Sequence, residues 1–576
     1  MQMETIPGLA RRALPSYWDL AAFIIVVAVL VGIVSGSNGV AVPLPRPEAP
    51  IVDLDYWNLP YYALRTTLRM FAALAASLVF TFVYASLCAK SRRAEMVLIP
   101  ILDILQSVPI LGFLSFTVTF FLGLFPGRVL GAECAAVFAI FTSQAWNMAF
   151  SFYQSLRTVP KDLDEVSRSF QLTGWQKFWQ LEAPFAVPGL VYNMMISMSG
   201  GWFFVVASEA ITVGDVSIKL PGIGSYLALA IDGKRLDAVF AAILTMLVVI
   251  LAYDQILFRP IVAWAAKFRV ELTASSNDPT SWVLTVFKRS KWLQALLTPL
   301  GWSLKKIRFA RLRLPAFGKM ALTPPRLVAI GIDWGWYLLI TVAVGFAGWK
   351  ITEYVSATLG WHDALEAMGL TLVTMVRVIV LIALASLVWV PIGVWIGLRP
   401  GIAEYVQPIA QFLAAFPVNV LFPFVVAGIV FFHLDPDIWL SFLIVFGTQW
   451  YILFNVIAGA SAFPNDLKEV AANFHVRGWL WWKHVMLPGI FPYYFTGALT
   501  ASGGSWNAAI VAEYVKWGDD KVTAHGIGAF IARATEAGDF PRIVLGVAMM
   551  SIFVTLLNRF GWRRLFAMAE RRLRLD

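Results

Sequence analysis

Polar and ionisable side chains set inside apolar runs are the residues of this chain whose chemistry needs explaining. "SMSGGWFFVVASE", residues 197–209, and "TASGGSWNAAIVAE", residues 500–513, each place small residues and a Trp ahead of a closing glutamate. The first holds Gly200, Gly201, Trp202 and Glu209, the second Gly503, Gly504, Trp506 and Glu513; Arg69 and Arg377 stand in two further apolar runs. Charge in such surroundings is costly and is by default a sign of a solute path, so these residues are the path candidates. The competing uses are structural. Paired glycines also permit close helix packing, the glutamates suit an outer gate or a partner contact as well as packing, and the arginines can snorkel to the outer surface. Other chemistry is missing. His362, His433, His475, His484 and His525 show no metal-ligand spacing. No nucleophile, base and acid stand together, so an enzyme is not expected. No G-x-x-x-x-G-K-[ST] phosphate loop occurs, so ATP has no usual cradle here and no cofactor is expected in this chain.

The elements that must carry these residues follow from composition. The chain has 576 residues, 59% hydrophobic and 14% charged, with a mean hydropathy of +0.72; soluble domains are about a quarter charged. This is an integral membrane protein. A span takes about 20 apolar residues, and the runs are continuous rather than alternating, which excludes a barrel. The formal charge of +10 resides in short clusters beside the runs, "ARR" at 10–12, "KSRR" at 90–93, "KKIRFARLR" at 305–313 and "RRLR" at 571–574. That is the positive-inside pattern, not a nucleic-acid surface. The first run, Trp18 to Gly36, lacks the architecture of a removable leader and is expected to remain as a span. Cys88 and Cys134 lie within runs and indicate no disulfide framework.

The chain is an internal duplication. Adding 304 to a first-half number lands Asp162 on Asp466, Gly174 on Gly478, Pro184 on Pro488, Trp202 on Trp506 and Glu209 on Glu513; upstream the shift is 308, pairing Arg69 with Arg377 and Pro109 with Pro417. Spans are expected near 17–36, 60–88, 97–122, 130–152, 186–213 and 237–259, then 328–350, 368–397, 406–430, 436–458, 490–515 and 540–561. Six is even, so the copies run parallel, about an axis along the membrane normal. The expected architecture is an all-α polytopic membrane protein with two repeats of about six transmembrane helices, about 12 in all. Its parts are residues 1–260, a basic cytoplasmic linker over 261–327, and residues 328–576. Both termini are expected in the cytoplasm, and the polar stretches 37–58, 214–236 and 516–539 outside.

One cytoplasmic stretch occurs twice. "DLDEVSRSFQLTGWQKFWQLEAP" at 162–184 and "DLKEVAANFHVRGWLWWKHVMLP" at 466–488 agree at eight of 23 positions. Each reads as a short amphipathic helix with Asp162 or Asp466 as N-cap and Glu165 or Glu469 completing a capping box. Leu163, Val166 and Phe170, or Leu467, Val470 and Phe474, form its apolar face, and Gly174 or Gly478 interrupts it. The segment is either an interfacial helix lying on lipid headgroups or a knob that docks on a cytoplasmic partner. Its repetition favours the knob, and two knobs imply a partner with two grooves.

The order of Glu, two small residues, a turn and a closing Pro resembles the cytoplasmic "EAA" loop of binding-protein-dependent ABC importer permeases, matched by "EVS" at 165–167 and "EVAA" at 469–472. With "VVASEAI" at 205–211, "IVAEYV" at 510–515, "PGIG" at 221–224 and "HGIG" at 525–528, the chain is similar to a fused member of the nitrate, sulfonate and taurine branch. One departure is clear. The family's usual Gly six residues after the Glu is Gln171 or His475, with Gly three positions later. The resemblance implies a type I importer permease in a bacterial inner membrane, carrying a small oxyanion such as nitrate, a sulfonate or bicarbonate. It also implies two cytoplasmic ATPase subunits that hold ATP and Mg, docked on the two loops, and an extracytoplasmic substrate-binding protein. The rival is an ion-gradient transporter of about twelve spans, which explains the span count but not the repeated loop.

Overall fold

The computed structural model describes residues 17–37, 52–108, 110–213, 216–268, 281–309, 326–461, 463, 465–517, 520–562 and 564–565. The basic ends at 10–12 and 571–574 and the polar stretch 273–280 fall outside them, as does most of the stretch 37–58 expected to lie outside.

The first repeat comprises α1 (Tyr17–Ser37), α2 (Leu59–Lys90), α3 (Arg92–Ser107), α4 (Ile110–Leu124), α5 (Val129–Arg157), the short α6 (Lys161–Ser169) and α7 (Gly174–Lys177), then α8 (Ala183–Glu209). A hairpin of β1 (Ala210–Val213) and β2 (Val216–Lys219) follows, then α9 (Ile223–Asp232), α10 (Leu236–Tyr253) and α11 (Arg259–Ala265). The linker carries α12 (Trp282–Arg289) and α13 (Lys291–Phe309). The second repeat retraces the order with α14 (Arg326–Ser356), α15 (Trp361–Gly397), α16 (Pro400–Ala415), α17 (Phe422–Phe432), α18 (Pro436–Phe446), α19 (Gln449–Ser461), α20 (Asn465–Asn473), α21 (Gly478–Trp481) and α22 (Leu487–Ala512). It closes with the hairpin β3 (Tyr514–Trp517) and β4 (Asp520–Thr523), α23 (Ile527–Ala537) and α24 (Phe540–Leu556). The fold is all-α apart from these hairpins, which continue the fifth span of each copy.

Among the described residues seven helices are long and apolar enough to cross a membrane, or eight if α18 and α19, bent by 41°, count as one. Every expected span coincides with helix, but the third of each copy is broken rather than continuous. In the second copy the break falls at Phe416, extended at φ −73° and ψ 123° ahead of Pro417. Proline disfavours the helical conformation in the residue before it and brings no N–H of its own. The first copy breaks at the corresponding place, between Ser107 and Ile110.

The breaks shape the assembly. Within each repeat the core is a fifth helix laid against the fourth and the second, α8 on α5 and α2, and α22 on α19 and α15. The broken third span packs on both repeats: α3 and α4 lie against α2 and α5 of their own half and also reach α22 and α24, and α16 lies against α15 and α19 and also reaches α8 and α10. This exchange joins the halves. α1 and α14 lie at the periphery, α14 with its apolar side chains exposed, as a lipid-facing span requires. The linker helices are anchored on α1, where buried Asp19 accepts hydrogen bonds from Ser290 Oγ (2.7 Å) and the Trp292 amide (2.9 Å).

Candidate functional site

Between the repeats lies a cavity of about 470 Å3. Its walls come from matched stretches of the two fifth helices, 196–204 of α8 and 499–508 of α22, completed by α5, α19, α24 and the two broken third spans. Residues 503 and 504 are the counterparts of Ser199 and Gly200, so the duplication places small residues at the same depth on both walls.

The path candidates divide sharply. Gly200, Gly503 and Gly504 line the cavity. A Cβ on Gly503 would meet nothing within 4 Å, whereas one on Gly200 would face Tyr451 Oη of the other repeat at 3.6 Å. Gly201, Trp202, Trp506, Glu209, Glu513, Arg69 and Arg377 do not line it. Gly201 serves packing, since a Cβ there would come within 2.8 Å of Gln144 Nε2. Trp202 is fully buried with its ring edge-on to Tyr253, and Trp506 is buried at the matching place.

The arginines do not snorkel. Arg69 is 4% exposed and spans two carboxylates, Glu133 through Nε (2.6 Å) and Nη2 (2.7 Å), and Glu209 through Nη1 (2.6 Å). Arg65 gives Glu133 a second cation at 2.5 Å. Glu209 also accepts from Thr66 Oγ1 and from the Gly224 amide, both at 2.7 Å. That uses the glycine pair of "PGIG": a Cβ on Gly222 would strike the Glu209 carboxylate at 2.3 Å. The second copy repeats the knot, with Arg377 joined to Glu513 and Asp437, Thr374 Oγ1 at 2.9 Å and the Gly528 amide at 2.8 Å. It differs in two respects. Val373 replaces Arg65, and His525 replaces Pro221, donating its amide to Asp437 at 2.6 Å with its ring Nδ1 at 2.8 Å. These knots tie the second helix of each repeat to its fourth and fifth spans. Sequence reading missed Glu133 and Asp437, although the 304 shift relates them and each is an acid in an apolar run.

At the breaks the halves exchange hydrogen bonds. The Ile110 amide, an orphan donor at the start of α4, donates to Asn507 Oδ1 on α22 at 2.7 Å. Asn419, just past the second break, donates from Nδ2 to the Phe203 carbonyl on α8 at 3.2 Å. Positions 203 and 507 correspond, so each fifth helix meets the opposite break at the same place, through the side chain of Asn507 in one half and the backbone of Phe203 in the other.

The repeated loops form helices, but their caps differ from expectation. Pro160 is the N-cap of α6, without a side-chain cap, and Asp162 lies inside the first turn, where a negative charge still suits the helix dipole. The capping box sits in the next turn, where Thr173 Oγ1 accepts from the Gln176 amide and Gln176 Oε1 from the Thr173 amide. The side chain of Asp466 lies outside the described residues. Gly174 and Gly478 open the second short helices α7 and α21. Gln171 and His475, standing where the family has Gly, take φ of 49° and 51°. The left-handed turn is therefore kept without glycine. It is closed in both copies by the same bonds, Leu172 N to Ser167 O and Val476 N to Ala471 O. Leu163 and Leu467 are half-buried, while Glu165 and Glu469 are exposed. Of the apolar faces, Val166 is 50% exposed, Phe170 74%, Val470 49% and Phe474 78%.

The loops are not equal. Asp164 lies between Lys177 and Arg168, and the Lys177 ammonium above all holds its carboxyl below the usual range; Lys468 stands at that position in the second copy. Gln176 Nε2 also donates to the Phe309 carbonyl at 3.0 Å, tying the first loop to the end of α13.

Comparison with known proteins places the same pattern. A family described as "Binding-protein-dependent transport system inner membrane component" matches twice, over residues 81–258 and 389–574, more than half of the chain. Over 190 residues the chain is 30% identical to the "Bicarbonate transport system permease protein CmpB" of Synechococcus elongatus, covering 33% of this chain and 65% of the relative. It is 29% identical over 182 residues to the "Nitrate import permease protein NrtB" of Leptolyngbya laminosa, covering 32% and 62%. It is 27% identical over 209 residues to the "Glycine betaine/carnitine transport permease protein GbuB" of Listeria monocytogenes, covering 35% and 66%. The chain thus spans under two thirds of the length of each of these relatives.

Proposed function

Because the chain belongs to the family of binding-protein-dependent transport system inner membrane components, we propose that it forms the translocation path of an ATP-driven importer for a small oxyanion. Two relatives named for bicarbonate and nitrate transport support the cargo class. The observation that carries the reading is the cavity between two homologous halves, walled by corresponding stretches of α8 and α22. Residues 1–260 and 328–576 are then two permease units, 261–327 a cytoplasmic linker, and both termini cytoplasmic in a bacterial inner membrane.

ATP and Mg belong, in this reading, to two cytoplasmic ATPase subunits, and an extracytoplasmic binding protein supplies the solute. The docking faces are α6 and α20. Val166, Phe170, Val470 and Phe474 are left exposed by their own chain at matching positions, as an unfilled interface requires. Each docking helix leads through one short helix and a π-turn, Phe178–Glu182 or Trp482–Met486, into the fifth helix that walls the cavity. Closing the ATPase pair would move α6 and α20 together, and the fifth helices would carry that displacement to the path as rigid bodies.

The test is Ala471→Pro in vesicles reconstituted with the partner ATPase and binding protein. Ala471 is 5% exposed in the interior of α20, and a proline there costs about 3 kcal/mol or more without touching a span. Insertion should persist while ATP hydrolysis and uptake fall together, and Ser167→Pro should do the same from the first loop. Normal coupling in both would leave the segments as interfacial helices. Native mass measurement should find two ATPase subunits per chain; uptake by the lone chain on a proton or sodium gradient would refute the reading.

A further inference from the structure

The cavity wall is chemically one-sided. Among the described residues no Asp, Glu, Lys or His lines it, and the one charged residue that does is Arg559, at an exposed position beyond α24. On the first repeat's side the wall holds donors with nothing to bond. Ser197 on α8 is 3% exposed with no partner for its hydroxyl, and the buried Nε1 of Trp146 on α5 also has none. Asn147, next to Trp146, accepts Gln106 Nε2 at its Oδ1 (2.8 Å), which leaves its own amide N–H2 to donate. An unmatched buried donor costs about 1–3 kcal/mol, so a wall that gathers such groups is suited to a guest that accepts. The second repeat does not reproduce the set: the 304 shift puts Ala501 at the place of Ser197 and Tyr451 at that of Asn147, while Trp450, the counterpart of Trp146, is not among the residues that line the cavity.

We infer that Ser197, Trp146 and Asn147 form a single oxyanion subsite on the first repeat's wall of the cavity, binding cargo in transit through neutral N–H and O–H donors. This rests on the permease reading above and adds where the chain itself selects. Nitrate and a sulfonate group present only acceptors, and bicarbonate acceptors with a single O–H, which these three groups match. Neutral donors hold a charge loosely enough to release it, as a transport site must, while Arg559 adds positive potential at the edge of the cavity. The space, about 470 Å3, far exceeds the roughly 10–15 Å3 that one water needs, so the anion enters with part of its hydration shell. The duplication makes this possible: one half keeps the donor set while the other, free of that constraint, supplies Tyr451 and the open Gly503.

The experiment is uptake of isotopically labelled nitrate, bicarbonate and glycine betaine by the assembled importer in proteoliposomes, with Ser197→Asp, Ser197→Ala, Ser197→Asn and Trp146→Phe. Insertion and ATPase pairing are checked by co-purification. A carboxylate within reach of the subsite should cut uptake of the transported anion by at least about tenfold, the scale of like charges facing each other in a partly dry site. Ser197→Ala and Trp146→Phe should each weaken labelled-anion binding to the purified chain, and Ser197→Asn, which keeps a donor, should restore most of it. Wild-type anion uptake in Ser197→Asp, or anion binding unchanged in both Ser197→Ala and Trp146→Phe, overturns the subsite. Failure of the permease reading shows differently, as absence of ATP-driven uptake by the unmodified chain.

Discussion

Replacing Arg69 by Leu should be among the most damaging single changes in this chain. The substitution removes three charge-assisted bonds, two to Glu133 and one to Glu209. The two carboxylates are not left equal. Glu133 keeps Arg65 at 2.5 Å, whereas Glu209, with no exposed surface, keeps only the neutral Thr66 hydroxyl and Gly224 amide. One buried charge is thus left uncompensated, a loss of about 3–5 kcal/mol. Glu209→Gln should cost less, since Arg69 still holds Glu133 and what remains is one amide set against the Gly224 N–H, about 1–3 kcal/mol. Because Arg69→Leu owes its cost to the stranded charge, adding Glu209→Gln to it should bring stability back rather than lower it further. The assay is reversible unfolding in mixed micelles for the two single variants and the double. A double variant destabilised by the sum of the singles would refute the reasoning, because it would mean the pair contributes independently through packing alone.

Gln171→Gly and His475→Gly should each stabilise their loops by about 1 kcal/mol, because a side chain in the left-handed region costs about that much; hydrogen exchange over 161–177 and 465–481 should slow, and faster exchange would refute the strain. Glu536 ties β3 and β4 to α23 through Lys516 at 2.7 Å and Lys521 at 3.0 Å. Burial pushes its carboxyl up, but bonds from Lys516, Tyr514 and Lys521 outweigh this and hold it at about 2. Its contribution is therefore present above the ordinary glutamate range and lost as pH falls toward about 2, so hairpin protection measured by hydrogen exchange should be flat from neutral pH to about 5. Glu536→Gln should open trypsin cleavage at Lys516 and Lys521, and unchanged resistance would mean the hairpin is held by packing alone. Gly222→Ala should disrupt the first knot, with a loss of thermal stability comparable to Arg69→Leu, since the added Cβ would lie 2.3 Å from the Glu209 carboxylate.

Much of this architecture was legible in the chain because it depends on local or repeated features. The apolar runs had to be helices in a membrane, since no other backbone arrangement with continuous hydrophobicity satisfies its hydrogen bonds there, and the shifts of 304 and 308 set the repeats parallel. The short helices α6 and α20 and their exposed faces followed from one amphipathic period written twice. What the sequence left undecided depends on what faces what across long separations. Arg69 and Glu209 read equally well as path, gate or surface until the fold brought them within 2.6 Å of each other and added Glu133. Trp202 and Gly201 had the composition of a path lining and proved to be packing, because neighbouring residues on one helix point to different sides. Gln171 and His475 broke the glycine pattern, yet the tertiary frame held both in the left-handed turn. The third spans read as continuous, and only the fold showed each one broken beside its proline and bonded to the opposite repeat, Ile110 to Asn507 and Asn419 to Phe203, next to the cavity.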